Sequence, residues 1–122
     1  GSDIDPAGFG AKDIRRTMPR FEPANLAANQ KLLPAYRAIA NEVGCTPAQL
    51  AIAWLLHKGP DILPIPGTAS IAHLRENNGA DAVKLDAGVM QRLEALINQR
   101  TVSGDRYNDQ ANREVDTEVF AV

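Results

Sequence analysis

The chain has 122 residues, of which 44% are hydrophobic and 23% charged, a balance typical of a single globular domain. Thirteen Lys and Arg residues against fifteen Asp and Glu residues give a net charge of −2, which argues against nucleic acid as a partner. No apolar run approaches the roughly 18 residues that cross a membrane, and the N-terminus lacks the features of a signal peptide. We therefore expect a cytoplasmic protein with no membrane partner. One cysteine and two histidines exclude an internal disulfide and predict no metal site.

Residues 1–23 are rich in glycine and proline and predict an irregular lead-in with one helical turn near residues 12–18. Gly1-Ser2 without an initiator Met is typical of a cloning scar. The lead-in also contains a small basic cluster, which has two interpretations: a solvated surface, or a loop that meets phosphate or an acidic partner. The cluster consists of Lys12, Arg15, Arg16 and Arg20.

From about Asn25 the apolar residues recur at helical spacing as far as Val43, and Gly44 is suited to end the helix. Pro34 lies inside this run. Because proline has no N–H group and crowds the carbonyl four residues earlier, we expect a kink or a break there.

The next helix has the clearest start signal in the sequence. Thr46 is suited to the N-cap, Pro47 to the first helical position, and Gln49 to the third, where its side chain can reach back to complete a capping box. Residues 50–56 are apolar on nearly every face, which predicts a helix that is buried on several sides. Lys58 and Gly59 are typical of its C-terminus.

Ile62–Pro66 predicts a short buried strand, in which the two prolines remove donors from one edge and leave Leu63 and Ile65 to donate on the other. Gly67-Thr68 predicts a tight turn. Ser70 is suited to cap a short helix through Asn77, with Gly79 as its stop.

Asp86 is suited to cap a last helix, and Leu85 and Met90 to form a hydrophobic staple. Residues 99–122 predict a C-terminal tail laid over a surface, with Val115, Val119 and Phe120 among its few apolar anchors. Weak strand candidates lie at 82–85 and 118–122. The expected organisation is thus a lead-in (1–23), a helix-helix-strand-helix-helix segment (24–98) and a tail (99–122).

The fold class that follows is mainly α, with about four helices and one short strand. A lone strand cannot satisfy its own backbone groups. A buried helix followed by a strand, a turn and a helix is the repeating unit of an α/β protein. We therefore interpret the chain as a piece of a larger α/β fold.

Three stretches resemble the C-terminal part of the aldo-keto reductases: residues 44–56 (GCTPAQLAIAWLL), 65–68 (IPGT) and 74–77 (LREN). Residues 19–21 with Asn25, and residues 104–107, look like the flanks of the same family, so the resemblance covers roughly residues 9–110. It implies a C-terminal fragment of a parallel (β/α)8 TIM barrel, with Ile62–Pro66 as the last barrel strand.

The resemblance also implies a site for NADP. Gly67 and Thr68 match the turn beside the adenosine 2′-phosphate, and the N-terminus of the following helix favours an anion. Glu76 and Asn77 match the pair that meets adenine. His73 stands where many members carry Arg, which leaves the preference between NADP and NAD open.

The family reduces carbonyl compounds with a tyrosine tuned by lysine, aspartate and histidine, all from the N-terminal half of the barrel. Neither Tyr36 nor Tyr107 fits that role, so we expect the chain to lack the catalytic tetrad and to be inactive alone. Its expected partners are a carbonyl substrate in the intact enzyme, and either the missing N-terminal barrel segment or a second copy. The alternative is a non-catalytic helical interaction or structural module derived from the family.

Overall fold

The computed structural model describes residues 4–115, which are mainly helical, as predicted. The predicted anchors Val119 and Phe120, the strand candidate at 118–122 and the Gly1-Ser2 scar lie outside the described residues. The α-helices are α1 Pro23–Gln30, α2 Leu33–Val43, α3 Pro47–Lys58, α4 Ile71–Asn78, α5 Ala87–Leu96 and α6 Asp109–Asn112. Four short 3-10 helices accompany them, at Pro6–Gly8, Ile14–Thr17, Pro19–Phe21 and Gly79–Ala82.

The described chain divides into two compact units. One is Leu32–Asn98, and the other combines residues 4–31 with residues 99–115. The first unit contains α2 to α5 and a hydrophobic core of seven buried side chains from α2, α3, α5 and the loop before α5. The buried core residues are Ile39, Ala40, Leu50, Ala53, Leu85, Val89 and Leu93.

Polar contacts join the helices of the first unit around this core. Arg92 on α5 makes two 2.8 Å hydrogen bonds to the carboxylate of Glu42 on α2. Lys58 on α3 lies 2.7 Å from Glu94 on α5. Both pairs are solvent-exposed and are worth little individually, so the apolar core supplies most of the stability of this unit.

The second unit is held by contacts between its two chain segments. Asn29 pairs with the backbone of Ser103, since its Nδ2 donates to the carbonyl (2.9 Å) and its Oδ1 accepts from the amide (2.8 Å). The Ser103 hydroxyl donates to Asn25 Oδ1 (2.7 Å). Gly104 follows with a φ of 82°, in the left-handed region that favours glycine.

The helical run predicted from Asn25 to Gly44 is interrupted, as Pro34 suggested. The interruption lies at residues 31–32, between α1 and α2, and Pro34 occupies the first turn of α2, where its missing N–H group has no helical partner to lose. Gly44 ends α2 with a φ of 79°, as predicted.

The predicted strand Ile62–Pro66 is the main correction. Residues 4–115 contain no strand, because a strand exists only through hydrogen bonds to a neighbour and this stretch has no neighbouring strand in the described chain. The candidate at 82–85 likewise forms none. Gly79 is the C-cap of α4, as predicted, although its φ of −64° is not the left-handed conformation common at helix ends, and it also begins the 3-10 helix that follows.

Candidate functional site

The turn before α4 is organised by two hydroxyl groups. Thr68 Oγ1 accepts a hydrogen bond from the amide of Ser70 (3.1 Å), and Ser70 Oγ accepts one from the amide of His73 (3.3 Å). Ser70 is therefore the N-cap of α4, as predicted. The side chains of Thr68 and His73 are exposed, as is Gly67, so this end of α4 is open to solvent.

The first turn of α4 has the chemistry of an anion site. Its amides have no carbonyl one turn earlier in the helix, and the helix dipole adds partial positive charge there. His73 brings a ring nitrogen to the same turn but no fixed charge. Arg75 lies two positions further on, and side chains at that spacing do not face each other.

Glu76 and Asn77 lie in the last turn of α4, and both are half-buried. At 1.5 Å per residue, Glu76 is about 9 Å along the helix axis from Ser70. The structure therefore puts the five predicted site residues on one short segment, with Gly67, Thr68 and His73 at its start and the Glu76-Asn77 pair at its end.

Gln49 contacts this segment from α3 and was not among the predicted site residues. Its Oε1 accepts from the amide of Thr46 (3.1 Å), which completes the predicted capping box. Its Nε2 donates to the backbone carbonyl of Glu76 (3.0 Å). The capping-box pattern accounts for the first contact, and no pattern in the sequence indicates the second.

The basic cluster of the lead-in is occupied by internal contacts of the second unit. Arg15 pairs with Asp13 at 2.6 Å and lies 4.1 Å from the ring centroid of Phe9. Arg16 donates to the carbonyl of Phe9 (3.2 Å). The hydrogen bonds from Arg15 lower the pKa of Asp13 to about 2. These contacts favour a structural role over a phosphate-binding loop.

Tyr36 and Cys45 lie together at the edge of the core of the first unit. The Tyr36 hydroxyl donates to the carbonyl of Pro47 (2.9 Å), and burial, with the nearby Cys45, raises the pKa of Tyr36 to about 12. Burial also raises the pKa of the Cys45 thiol. Both groups are thus held in their neutral forms, which suits packing rather than proton transfer or nucleophilic attack.

His57 bridges α3 and the loop before α5. Its Nδ1 lies 2.8 Å from the carbonyl of Ala53, and its Nε2 accepts from the amide of Leu85 (3.2 Å). Because Nε2 is the acceptor, the ring proton is on Nδ1 and donates to Ala53. His57 is exposed, as expected of a residue in the last turn of a helix, and its ring also satisfies backbone groups of two elements.

Two further observations limit the chemistry of the described residues. Among residues 4–115 no group of three or more His, Cys, Asp or Glu side chains could hold a metal ion. None of the helices in this part of the chain is long and apolar enough to cross a membrane.

Comparison with known proteins gives two findings. The model of the "Aldo/keto reductase family" matches residues 5–98. The chain is also 39% identical, over 107 residues, to "Aldo-keto reductase yakc [NADP(+)]" of Schizosaccharomyces pombe. That alignment covers 88% of this chain and 32% of the yeast protein, so the chain spans about a third of the length of this curated relative.

Proposed function

The chain belongs to the aldo/keto reductase family, and from that premise we propose that it is the cofactor-binding C-terminal part of an NADP-dependent oxidoreductase that reduces aldehydes or ketones. The name of the yeast relative includes NADP(+), which supports the choice of cofactor. The observation that carries the proposal is the exposed, hydroxyl-capped N-terminus of α4, with the half-buried Glu76-Asn77 pair one short helix away.

In this proposal Gly67 and Thr68 lie beside the adenosine 2′-phosphate. The backbone amides of the first turn and the Thr68 hydroxyl supply donors. His73 contributes hydrogen bonding and little charge, so the attraction for the phosphate is weaker than with an arginine.

Glu76 and Asn77 meet the adenine in the same proposal. A carboxylate can accept from the exocyclic amine, and an amide can both donate and accept. Half-burial suits this role because water competes less for such hydrogen bonds.

We also propose that the catalytic tetrad lies outside this chain. Tyr36 is bound to a backbone carbonyl and has a pKa of about 12, which is too high for a general acid poised near neutral pH. Tyr107 lies beside Arg106, whose guanidinium carbon is 5.3 Å from its ring centroid. When bound, NADPH supplies the hydride, and the residues described here bind and orient its adenosine end.

The test measures NADPH and NADH binding to the full-length gene product, and NADPH oxidation with a model aromatic aldehyde. We expect His73→Arg to tighten NADPH binding by about ten-fold, since it adds a bidentate cation, and to leave NADH binding unchanged. Ala72→Arg is the matched control, because it adds the same charge at the neighbouring position on another face of α4.

A full-length protein that binds neither nucleotide would contradict the proposal. Equal effects of both variants on both nucleotides would show that the N-terminus of α4 is not the phosphate site. Turnover by the purified 122-residue chain itself would contradict the location of the tetrad.

A helical interaction or structural module is the second candidate, and one observation favours it. Leu32–Asn98 forms a compact unit around a core of its own. This candidate predicts no nucleotide binding by the full-length protein, and a start codon immediately upstream of the segment. The binding experiment above therefore separates the two.

A further inference from the structure

The side-chain amide of Gln49 joins the start of α3 to the end of α4. Its oxygen accepts a hydrogen bond from the backbone amide of Thr46 (3.1 Å), and its nitrogen donates one to the backbone carbonyl of Glu76 (3.0 Å). The side chain is half-buried, and both ends of the amide are fixed by backbone atoms.

The carbonyl that Gln49 contacts belongs to Glu76, one of the two residues that meet adenine in the proposed function. Within the chain's own backbone, the Gly79 amide at the C-cap of α4 is shared among the carbonyls of Arg75, Glu76 and Asn77. Gln49 gives the Glu76 carbonyl a further donor, from a different helix. The backbone from which Glu76 and Asn77 project is thereby tied to α3.

The chain leaves space for this contact at Gly79. A Cβ atom at that position would lie 2.6 Å from Gln49 Nε2, well inside van der Waals contact. The φ of Gly79 is −64°, so the backbone conformation itself does not require glycine. A side chain at this position would therefore displace the side-chain amide of Gln49.

We propose that Gln49 is a positioning residue for adenine recognition, acting through the Glu76 carbonyl to hold the Glu76-Asn77 pair in its binding orientation. This inference rests on the proposed function. It extends that function because Gln49 itself does not touch the cofactor.

Two substitutions separate this role from helix capping. Gln49→Glu keeps an acceptor for the Thr46 amide, and glutamate is also a normal capping-box residue, but it replaces the donor to Glu76 by a carboxylate oxygen. Thr46→Val removes the hydroxyl that accepts from the backbone N–H of Gln49 (3.2 Å) and leaves the contact between the Gln49 side chain and Glu76 intact. The first variant tests positioning, and the second is the matched control for stability.

The binding assay uses the full-length gene product with NADPH and with its hypoxanthine analogue, in which a carbonyl oxygen replaces the exocyclic amine of adenine. We expect Gln49→Glu to weaken NADPH binding by about ten-fold, the value of a well-aligned hydrogen bond to a carboxylate. We expect it to change binding of the analogue by less than about two-fold, since the analogue offers Glu76 no amine. Thr46→Val should leave both affinities unchanged.

The outcomes are distinct. If the wild-type protein does not bind NADPH, the proposed function fails. If the wild type binds and Gln49→Glu weakens both nucleotides equally, the added charge or a general loss of structure explains the effect and the positioning role is refuted. Unchanged NADPH binding in Gln49→Glu also refutes it. Gly79→Ala, which displaces the same amide without changing Gln49, should reproduce the selective loss with NADPH.

Discussion

Replacing Gly79 by alanine measures how firmly the Gln49 amide is held between α3 and α4. To restore ordinary van der Waals contact, the amide nitrogen has to withdraw by about 0.8 Å from the added Cβ atom. Such a movement breaks its hydrogen bond to Glu76 or that of its oxygen to Thr46. The shift of a flexible side chain is itself cheap, but leaving one of these part-buried polar groups without its partner costs about 1–3 kcal/mol.

The backbone conformation at Gly79, in contrast, favours alanine at this position. With a φ of −64° and a ψ of −14°, Gly79 is in a conformation that alanine adopts freely, and the reduced entropy of the unfolded chain stabilises the variant by about 0.4–1 kcal/mol. We therefore expect Gly79→Ala to lower the free energy of unfolding by about 1–2 kcal/mol. In a Gln49→Ala background the same change should raise it by about 0.5 kcal/mol, because the obstructing amide is gone.

A double-mutant cycle gives the decisive number. The free energy of unfolding is measured by urea denaturation, followed by circular dichroism, for the full-length wild type, both single variants and the double variant. The expected coupling between Gly79 and Gln49 is about 2 kcal/mol, within the range for residues in direct contact. A coupling within about 0.5 kcal/mol of zero would refute the contact on which the positioning role depends.

Three other substitutions test separate contacts. Burial raises the pKa of Tyr36 from 10.0 to about 12, so between these pH values the folded state keeps a proton that the unfolded state loses. The free energy of unfolding should therefore fall as the pH rises from about 10 to 12, and urea denaturation should show a smaller fall for Tyr36→Phe. Gly104→Ala adds a side chain at a φ of 82°, 2.7 Å from Asn25 Nδ2, and should lower the unfolding free energy by about 1–3 kcal/mol; an unchanged midpoint would contradict this. His57→Ala removes the acceptor of the Leu85 amide, so hydrogen exchange at that amide should accelerate, and unaltered protection would speak against the bridge.

Helix starts could be predicted from the sequence because the interactions that make them are local. Thr46, Ser70 and Asp86 each accept a hydrogen bond from the amide three residues later. Such a contact depends only on the identity of the capping residue and its immediate neighbours. The break before α2 was predictable for the same reason, since the steric effect of Pro34 acts within one turn.

Contacts between distant residues could not be predicted in this way. Gln49 and Glu76 are 27 positions apart, and Asn29 and Ser103 are 74 apart. No periodicity or motif indicates which amide nitrogen meets which carbonyl across such a separation. Gly79 shows the same limit, since its place after α4 predicted the end of that helix, but no pattern indicated that a side chain from α3 lies against it.

The candidate site combines both kinds of information. The Ser70 cap followed from local chemistry, and the turn at Gly67-Thr68 from its residue types. The roles of His73, Glu76 and Asn77 came from resemblance alone, because an exposed helix with polar residues is otherwise typical of a solvated surface.

The segment that was predicted as a strand also indicates how the isolated chain should behave. Leu63 and Ile65 are 84% and 94% exposed, and Ile71 is 71% exposed, although such side chains normally pack against a second layer. The backbone between Ile62 and Pro66 forms no ladder in the described residues, and unpaired strand-forming segments promote association. We therefore expect the 122-residue chain to self-associate or to retain another polypeptide.

Light scattering at micromolar concentration, with mass spectrometry for a co-purifying fragment, tests this expected association. Leu63→Lys should reduce self-association because it places a charge in the exposed segment. A monodisperse 13.1 kDa monomer with a cooperative thermal transition would show that the chain folds without a partner on this segment, and would contradict the expected association.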